Sequence, residues 1–173
     1  LPAAMQLRIR HIPILDEEGR VVELEILDPP AQSIQQVNWV VLMAGGLGTR
    51  LRPLTEECPK PLLKIGNKPL LQIILENFVA QGFRRFFLAV NYKDEMLLEY
   101  FGNGSRWGIE IRYIREEQKL GTAGALGLMS EIPSEPLIVM NADLLTTVNF
   151  RHLMNFHEEH QVQATMCVRE YTF

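Results

Sequence analysis

An apolar run, Val40-Val41-Leu42-Met43, empties into Ala44-Gly45-Gly46-Leu47-Gly48-Thr49-Arg50, and a basic segment, Pro59-Lys60-Pro61-Leu62-Leu63-Lys64, follows closely. Glycines let backbone N–H groups approach a polyphosphate without a Cβ in the way, and they permit the positive φ that turns those groups inward. Arg50 and Lys60 add mobile positive charge, which a bare glycine loop lacks. A strand, a glycine loop and two cations describe a nucleoside triphosphate site built for chemistry on the phosphates. Two common glycine loops fail on residue identity. A dinucleotide fingerprint needs a third glycine at position 51 and a helix at once; Leu51 stands there, and Pro53 and a polar stretch, 55–61, intervene. A Walker loop needs Gly-Lys-Ser/Thr, whereas Gly48 is followed by Thr49-Arg50.

Asp143 closes a second apolar run, Leu137-Ile138-Val139-Met140, within Asn141-Ala142-Asp143. A lone aspartate there suits either a turn cap or a ligand. Leu120-Gly121-Thr122-Ala123-Gly124-Ala125-Leu126 reads as a helix start of small residues packing close to a sheet. His157-Glu158-Glu159-His160 spaces its histidines three apart, where a zincin needs four, so it reads as a solvated helix end. Met140, Met154 and Met166 read as core filler, and Trp39 and Trp107 as packing residues.

These candidates stand against an acidic background: the 173 residues carry a net charge of −4. That argues against a nucleic-acid-binding surface and makes the local positive charge of Arg50, Arg52, Lys60 and Lys64 stand out. Two distant cysteines, Cys58 and Cys167, make neither a disulfide framework nor a zinc cluster and suit a reducing cytoplasm. No apolar run reaches the roughly 20 residues a membrane helix needs, and no signal peptide opens the chain. The ends, Leu1 and Phe173, suggest a piece of a longer protein.

The elements that must position the candidates follow from patterning. Residues 10–24 alternate apolar and polar around an acidic, Gly-containing turn, which predicts a hairpin. Pro29-Pro30 breaks that pattern, and a polar linker is expected over 31–38. From Trp39 onward, strands are predicted at 39–43, 86–90, 109–114, 137–141 and 163–168. Helices are predicted at 69–81, 94–101, 122–131 and 149–159. Leu70, Ile73, Ile74, Asn77 and Phe78 mark one helical face, with Gly82 as its stop. The alternation implies an α/β fold, a Rossmann-like, mostly parallel sheet with helices on both faces. Ligands in such sheets bind at the carboxyl ends of the strands, where strand order reverses.

The series AGGLGTRLRPLT (44–55), PKPLLKIGNKPL (59–70), LGTAGAL (120–126) and the NAD triplet (141–143) resembles the N-terminal part of a sugar-1-phosphate nucleotidyltransferase, that is, a sugar-nucleotide pyrophosphorylase. The variety it most resembles is the guanylyltransferase-like one carrying cystathionine-β-synthase-type (CBS) domains ahead of the transferase. Residues 10–28 resemble the closing hairpin of a CBS domain. The resemblance therefore implies a CBS remnant over 1–30 and the first part of a truncated GT-A-like transferase domain over 39–173. It implies transfer of a nucleotidyl group, GTP favoured, to a sugar-1-phosphate with release of pyrophosphate. Uridylyl, thymidylyl or cytidylyl transfer, or a non-catalytic nucleotide-sensing module, stay open. By the same resemblance, Arg50 contacts the departing pyrophosphate and Lys60 the reacting phosphates. Ala44, Gly45, Gly46, Gly48 and Thr49 hold the nucleotide, Gly121 and Thr122 contact the base, and Asp143 ligates Mg²⁺. The family usually has glycine where Ala142 stands, so a positive φ at that position would be costly. Partners implied are the triphosphate and the sugar-1-phosphate, with adenine nucleotide at the CBS domains and self-association into a homo-oligomer also allowed. Nucleic acid and membrane are not expected. The sugar side is expected after Phe173, leaving the 173-residue piece inactive alone.

Overall fold

The computed structural model describes residues 11–26, 35–118 and 120–169. The chain divides into two compact units, Leu1–Ile34 and Gln35–Phe173. In the first, β1 (His11–Leu15) and β2 (Val21–Ile26) pair antiparallel, as the alternation at 10–24 requires. The turn is closed by Asp16, whose Oδ1 accepts the N–H groups of Glu18 at 3.0 Å and Arg20 at 2.9 Å, while Gly19 takes a φ of +78°. Residues 1–10 and 27–34, the rest of the expected CBS remnant and the first half of the expected linker, lie outside the described residues.

The second unit is built on a four-stranded parallel sheet in the order β7-β6-β3-β8. Its strands are β3 (Gln36–Met43), β6 (Phe83–Val90), β7 (Glu110–Arg115) and β8 (Ile138–Asn141). A small antiparallel ladder joins β4 (Lys64–Ile65) to β5 (Lys68–Pro69). The helices are α1 (Leu54–Glu57, a single turn), α2 (Leu70–Ala80), α3 (Asp94–Phe101) and α4 (Phe150–His160). β3 begins earlier than the linker reading allowed, taking in residues 36–38. Polar Asn38 is tolerated inside the sheet because its amide donates to the Pro136 carbonyl at 2.9 Å.

β3 is central, so Val40, Val41 and Leu42 are all fully buried, the pattern of a strand covered on both faces. On one face Val40 and Leu42 join Phe86 and Leu88 against α2, α3 and α4. Phe78 of α2 is fully buried and stacks on Phe150 of α4 with ring centroids 4.0 Å apart, which ties α4 to the core. On the other face Trp39, Val41, Phe87, Ala89 and Ile114 meet Ala125. The guanidinium groups of Arg112 and Arg85 lie 4.7 and 5.3 Å from the Trp39 ring. Thus α2, α3 and α4 pack on one face, and a 3₁₀ segment, Gly124–Leu128, covers the other.

Three expectations need correction. The helix expected over 122–131 is only that 3₁₀ segment, where a Cβ on Gly124 would collide with the Leu120 side chain. Residues 163–168 are not strand, because among the described residues β8 is the sheet's edge and no neighbour pairs with them. Met166 is 81% exposed rather than core, while Met154 is buried as expected. Trp39 and Trp107 do pack, the latter against Tyr100 and Phe101. His157 shares a hydrogen bond with Thr165 Oγ1 at 3.0 Å and His160 one with the Phe156 carbonyl at 2.8 Å, so the pair serves the end of α4.

Candidate active site

Chain order runs from β3 outward through β6 to β7, then returns to place β8 on the other side of β3. Strand order therefore reverses between β3 and β8, where the loops leaving both strands flank one crevice. The glycine loop leaves β3 and Asp143 follows β8. Ala44 N–H donates to Ala89 O at 2.7 Å and Ala142 N–H to Met43 O at 3.1 Å, which fixes the roots of both loops to the sheet. Lys93 and Gln161 are the described non-glycine residues with positive φ, so Ala142 carries its Cβ without strain where the family usually has glycine.

Beyond the sheet, Gly46 is exposed and a Cβ there would meet nothing within 4 Å, so the loop opens to solvent at that point. Gly48 takes φ +64°, ψ 18°, a conformation that favours glycine, and starts a 3₁₀ turn, Thr49–Leu51, that carries exposed Thr49 and Arg50. Lys60 begins another 3₁₀ turn, Lys60–Leu62, after Pro59. Its ammonium reaches Asp143: Nζ and Oδ2 are 2.6 Å apart, joining residues 83 positions apart in the chain. Two residues selected from separate motifs thus meet at the crevice. Gly121, with φ +86°, and Thr122 are exposed on the loop before the 3₁₀ segment.

Three residues that the sequence motifs did not single out complete the arrangement. Glu116 follows β7, and a Cβ on Gly45 would lie 3.0 Å from its Oε1. Its Oε2 accepts the Leu120 N–H at 3.3 Å, so one carboxylate bridges the glycine loop and the loop that carries Gly121. Asn91, after β6, holds that junction by donating its amide to the Glu116 carbonyl. Thr55, 2% exposed, donates its hydroxyl to the Gly48 carbonyl at 2.8 Å. The first two had a usable signal: each is a polar residue directly after a strand of the parallel sheet, close to the position that selected Asp143.

The charge pattern is that of an anion site. Lys60 supplies a cation beside Asp143, Arg50 is exposed on the turn that follows the glycine loop, and the loop supplies backbone N–H groups. Cys58, two residues before Lys60, is half-buried, and burial pushes its thiol up despite the Lys93 charge nearby. Asp143 is the residue that could hold a divalent ion. Among the described residues no cluster of three or more metal-ligating side chains exists. The donor set therefore fits a hard ion shared with phosphate oxygens and waters rather than a closed protein cage. A groove of about 800 Å³ runs along the open side of β8; its lining includes Thr122, Asn141 and Leu144 but none of residues 44–48.

The fold is thus a parallel α/β sheet with a glycine loop, a lysine and a carboxylate at its switch point. Residues 39–172 match the nucleotidyl transferase family model, and the chain belongs to that family. It is 38% identical over 130 residues to the mannose-1-phosphate guanyltransferase of Yarrowia lipolytica, covering 73% of this chain and 36% of that protein. It is 40% identical over 132 residues to mannose-1-phosphate guanylyltransferase catalytic subunit beta of Drosophila melanogaster, covering 74% and 36%. Among solved structures it is similar to HddC from Yersinia pseudotuberculosis complexed with GMP-PN, with a TM-score of 0.62 and 30% identity, covering 69% of this chain and 54% of that one. The chain thus spans 36% of the length of these curated relatives.

Proposed function

We propose that the complete protein transfers a guanylyl group from GTP to a sugar-1-phosphate, mannose-1-phosphate in the first instance, forming a nucleotide sugar and releasing pyrophosphate. The contact between Lys60 and Asp143 at 2.6 Å carries the reading, because it gathers two phosphate-directed groups from separate motifs at the switch point. The reaction needs no protein nucleophile. An oxygen of the sugar phosphate attacks the α-phosphorus in line, a new P–O bond forms, and the bond to the β-phosphate oxygen breaks. The work of the chain is positioning and charge stabilisation. N–H groups of residues 45–49 hold the phosphates, Arg50 takes the departing pyrophosphate, and Lys60 neutralises charge at the reacting phosphate. Mg²⁺ bound through Asp143 supplies further neutralisation of phosphate charge.

The base is favoured by Glu116, which accepts hydrogen bonds and donates none when ionised. Guanine presents two adjacent donors, N1–H and the 2-amino group, and a carboxylate between the two loops complements that edge. Gly121 and Thr122 add backbone contacts to the base. The proposal includes a cytoplasmic location and the reading of residues 1–30 as the remnant of a CBS domain, through which the complete protein senses adenine nucleotide; a homo-oligomer is compatible with it. Pyrophosphate release measured with a panel of four triphosphates against several sugar-1-phosphates tests the reading. Turnover is expected with GTP and mannose-1-phosphate; no release with any pair would refute it.

A further inference from the structure

Thr55 closes the 44–55 motif, and the proposed chemistry gives it no task. It is buried on α1, and its hydroxyl hydrogen is committed to the Gly48 carbonyl at 2.8 Å, so it has none to offer a ligand. The same carbonyl accepts the Leu51 N–H at 2.9 Å, so both of its lone pairs face protein donors. Across a trans peptide the carbonyl and the next N–H point in opposite directions. Pinning the Gly48 carbonyl toward α1 therefore turns the Thr49 N–H the other way, out of the α1 side of the loop. The methyl has a task as well. A Cβ on Gly48 would stand 2.7 Å from Thr55 Cγ2, so the methyl fills the space beside the left-handed glycine. α1 is itself held from the β6 side, where Lys93 Nζ donates to the Glu56 carbonyl at 2.5 Å and Tyr92 Oη at 3.4 Å.

We propose that Thr55 is a positioning residue: it locks the Gly48–Thr49 peptide plane and thereby aims the loop's N–H groups at the nucleotide phosphates, with Lys93 bracing α1 behind it. The inference rests on the reading of residues 45–49 as the phosphate cradle and adds the device that keeps the cradle set before nucleotide arrives. A threonine that merely filled space would be replaced by valine at no functional cost, since valine keeps the methyl and the shape. Serine keeps the donor and loses the methyl.

The experiment compares T55V, T55S and K93M with wild type in the complete protein, reading nucleotide KM, acceptor KM, kcat and Tm. T55V is expected to raise nucleotide KM about tenfold, the worth of one hydrogen bond, with acceptor KM unchanged. T55S stays within about threefold of wild type, because the donor remains. K93M, on the rim and outside the buried core, raises nucleotide KM about threefold in the same direction. A loss of Tm or kcat with nucleotide KM unchanged in T55V and K93M would overturn the proposal, as would T55S as weak as T55V. If T55V does not fold, T55S and K93M decide alone: nucleotide KM unchanged in K93M overturns it. A wild-type protein that binds no triphosphate would refute the functional reading and the clamp together. Wild-type binding with unaltered variants would remove the clamp alone.

Discussion

Replacing Lys60 by alanine separates what the residue does for the fold from what it does for chemistry. Its ammonium lies 2.6 Å from Asp143 Oδ2, with 31% and 43% of the two side chains exposed. At that distance Coulomb attraction is about 1.6 kcal/mol in bulk water and about four times that at a dielectric of roughly 20. Partial exposure, desolvation and the entropy of holding a long side chain reduce the net to about 1 kcal/mol or less. K60A is therefore expected to lower unfolding free energy by no more than ~1 kcal/mol, a few degrees in Tm. Its effect on turnover is much larger, because a preorganised charge aimed at the reacting phosphate is worth about 10²–10³ in rate. The assay is continuous pyrophosphate release by the complete protein at saturating GTP, paired with urea denaturation. A loss of only two- or threefold in kcat/KM at preserved stability would show that Lys60 is a surface charge whose contact with Asp143 has no part in the reaction.

G48A places a Cβ 2.7 Å from the Thr55 methyl at a φ of +64°, so it should cost ~2 kcal/mol or more in unfolding free energy and weaken nucleotide binding; an unchanged midpoint in urea would contradict the left-handed assignment. F78A removes a fully buried ring stacked on Phe150 and should cost about 3–5 kcal/mol, with α4 amides exchanging faster than those of β3; uniform protection would deny that Phe78 ties α4 down. The ion pair with Lys68, reinforced by Gln72, holds the Glu76 carboxyl below its ordinary range. Its contribution is present above the unfolded value, about pH 4.3, and is lost as pH falls through the lower folded value, so E76Q should lower stability at neutral pH, leave acid stability little changed and thereby flatten the acid limb of the stability curve.

What the sequence made legible follows how local each signal is. The hairpin at 11–26 and the strands ending at Met43, Val90 and Asn141 come from patterns that neighbouring residues carry alone, and all are present. The order of alternation was enough to place the glycine loop and Asp143 at the carboxyl ends of two strands, but not to show that those strands are neighbours or that Lys60 reaches across to Asp143. The misread segments owe their conformation to context. Residues 122–131 have small-residue helix patterning, yet they cover Trp39 and Val41 as a short 3₁₀ segment between exposed turns. Residues 163–168 have strand composition, but composition cannot supply a hydrogen-bonding neighbour. Asn38 looked like linker because its amide has no local partner; Pro136, 98 positions away, provides one. Thr55 escaped for the same reason, since it acts through a contact that only the folded chain creates, whereas Glu116 had its place after a strand to mark it.

The central claim is that the loop leaving β3 cradles a triphosphate opposite the Asp143 carboxylate. A crystal structure of the complete protein with a non-hydrolysable GTP analogue and Mg²⁺ tests it most directly. Phosphates are expected against the N–H groups of residues 45–49, with Lys60 turned from Asp143 toward phosphate and the ion on the freed carboxylate. A nucleotide bound elsewhere, with Lys60 still paired to Asp143, would contradict it.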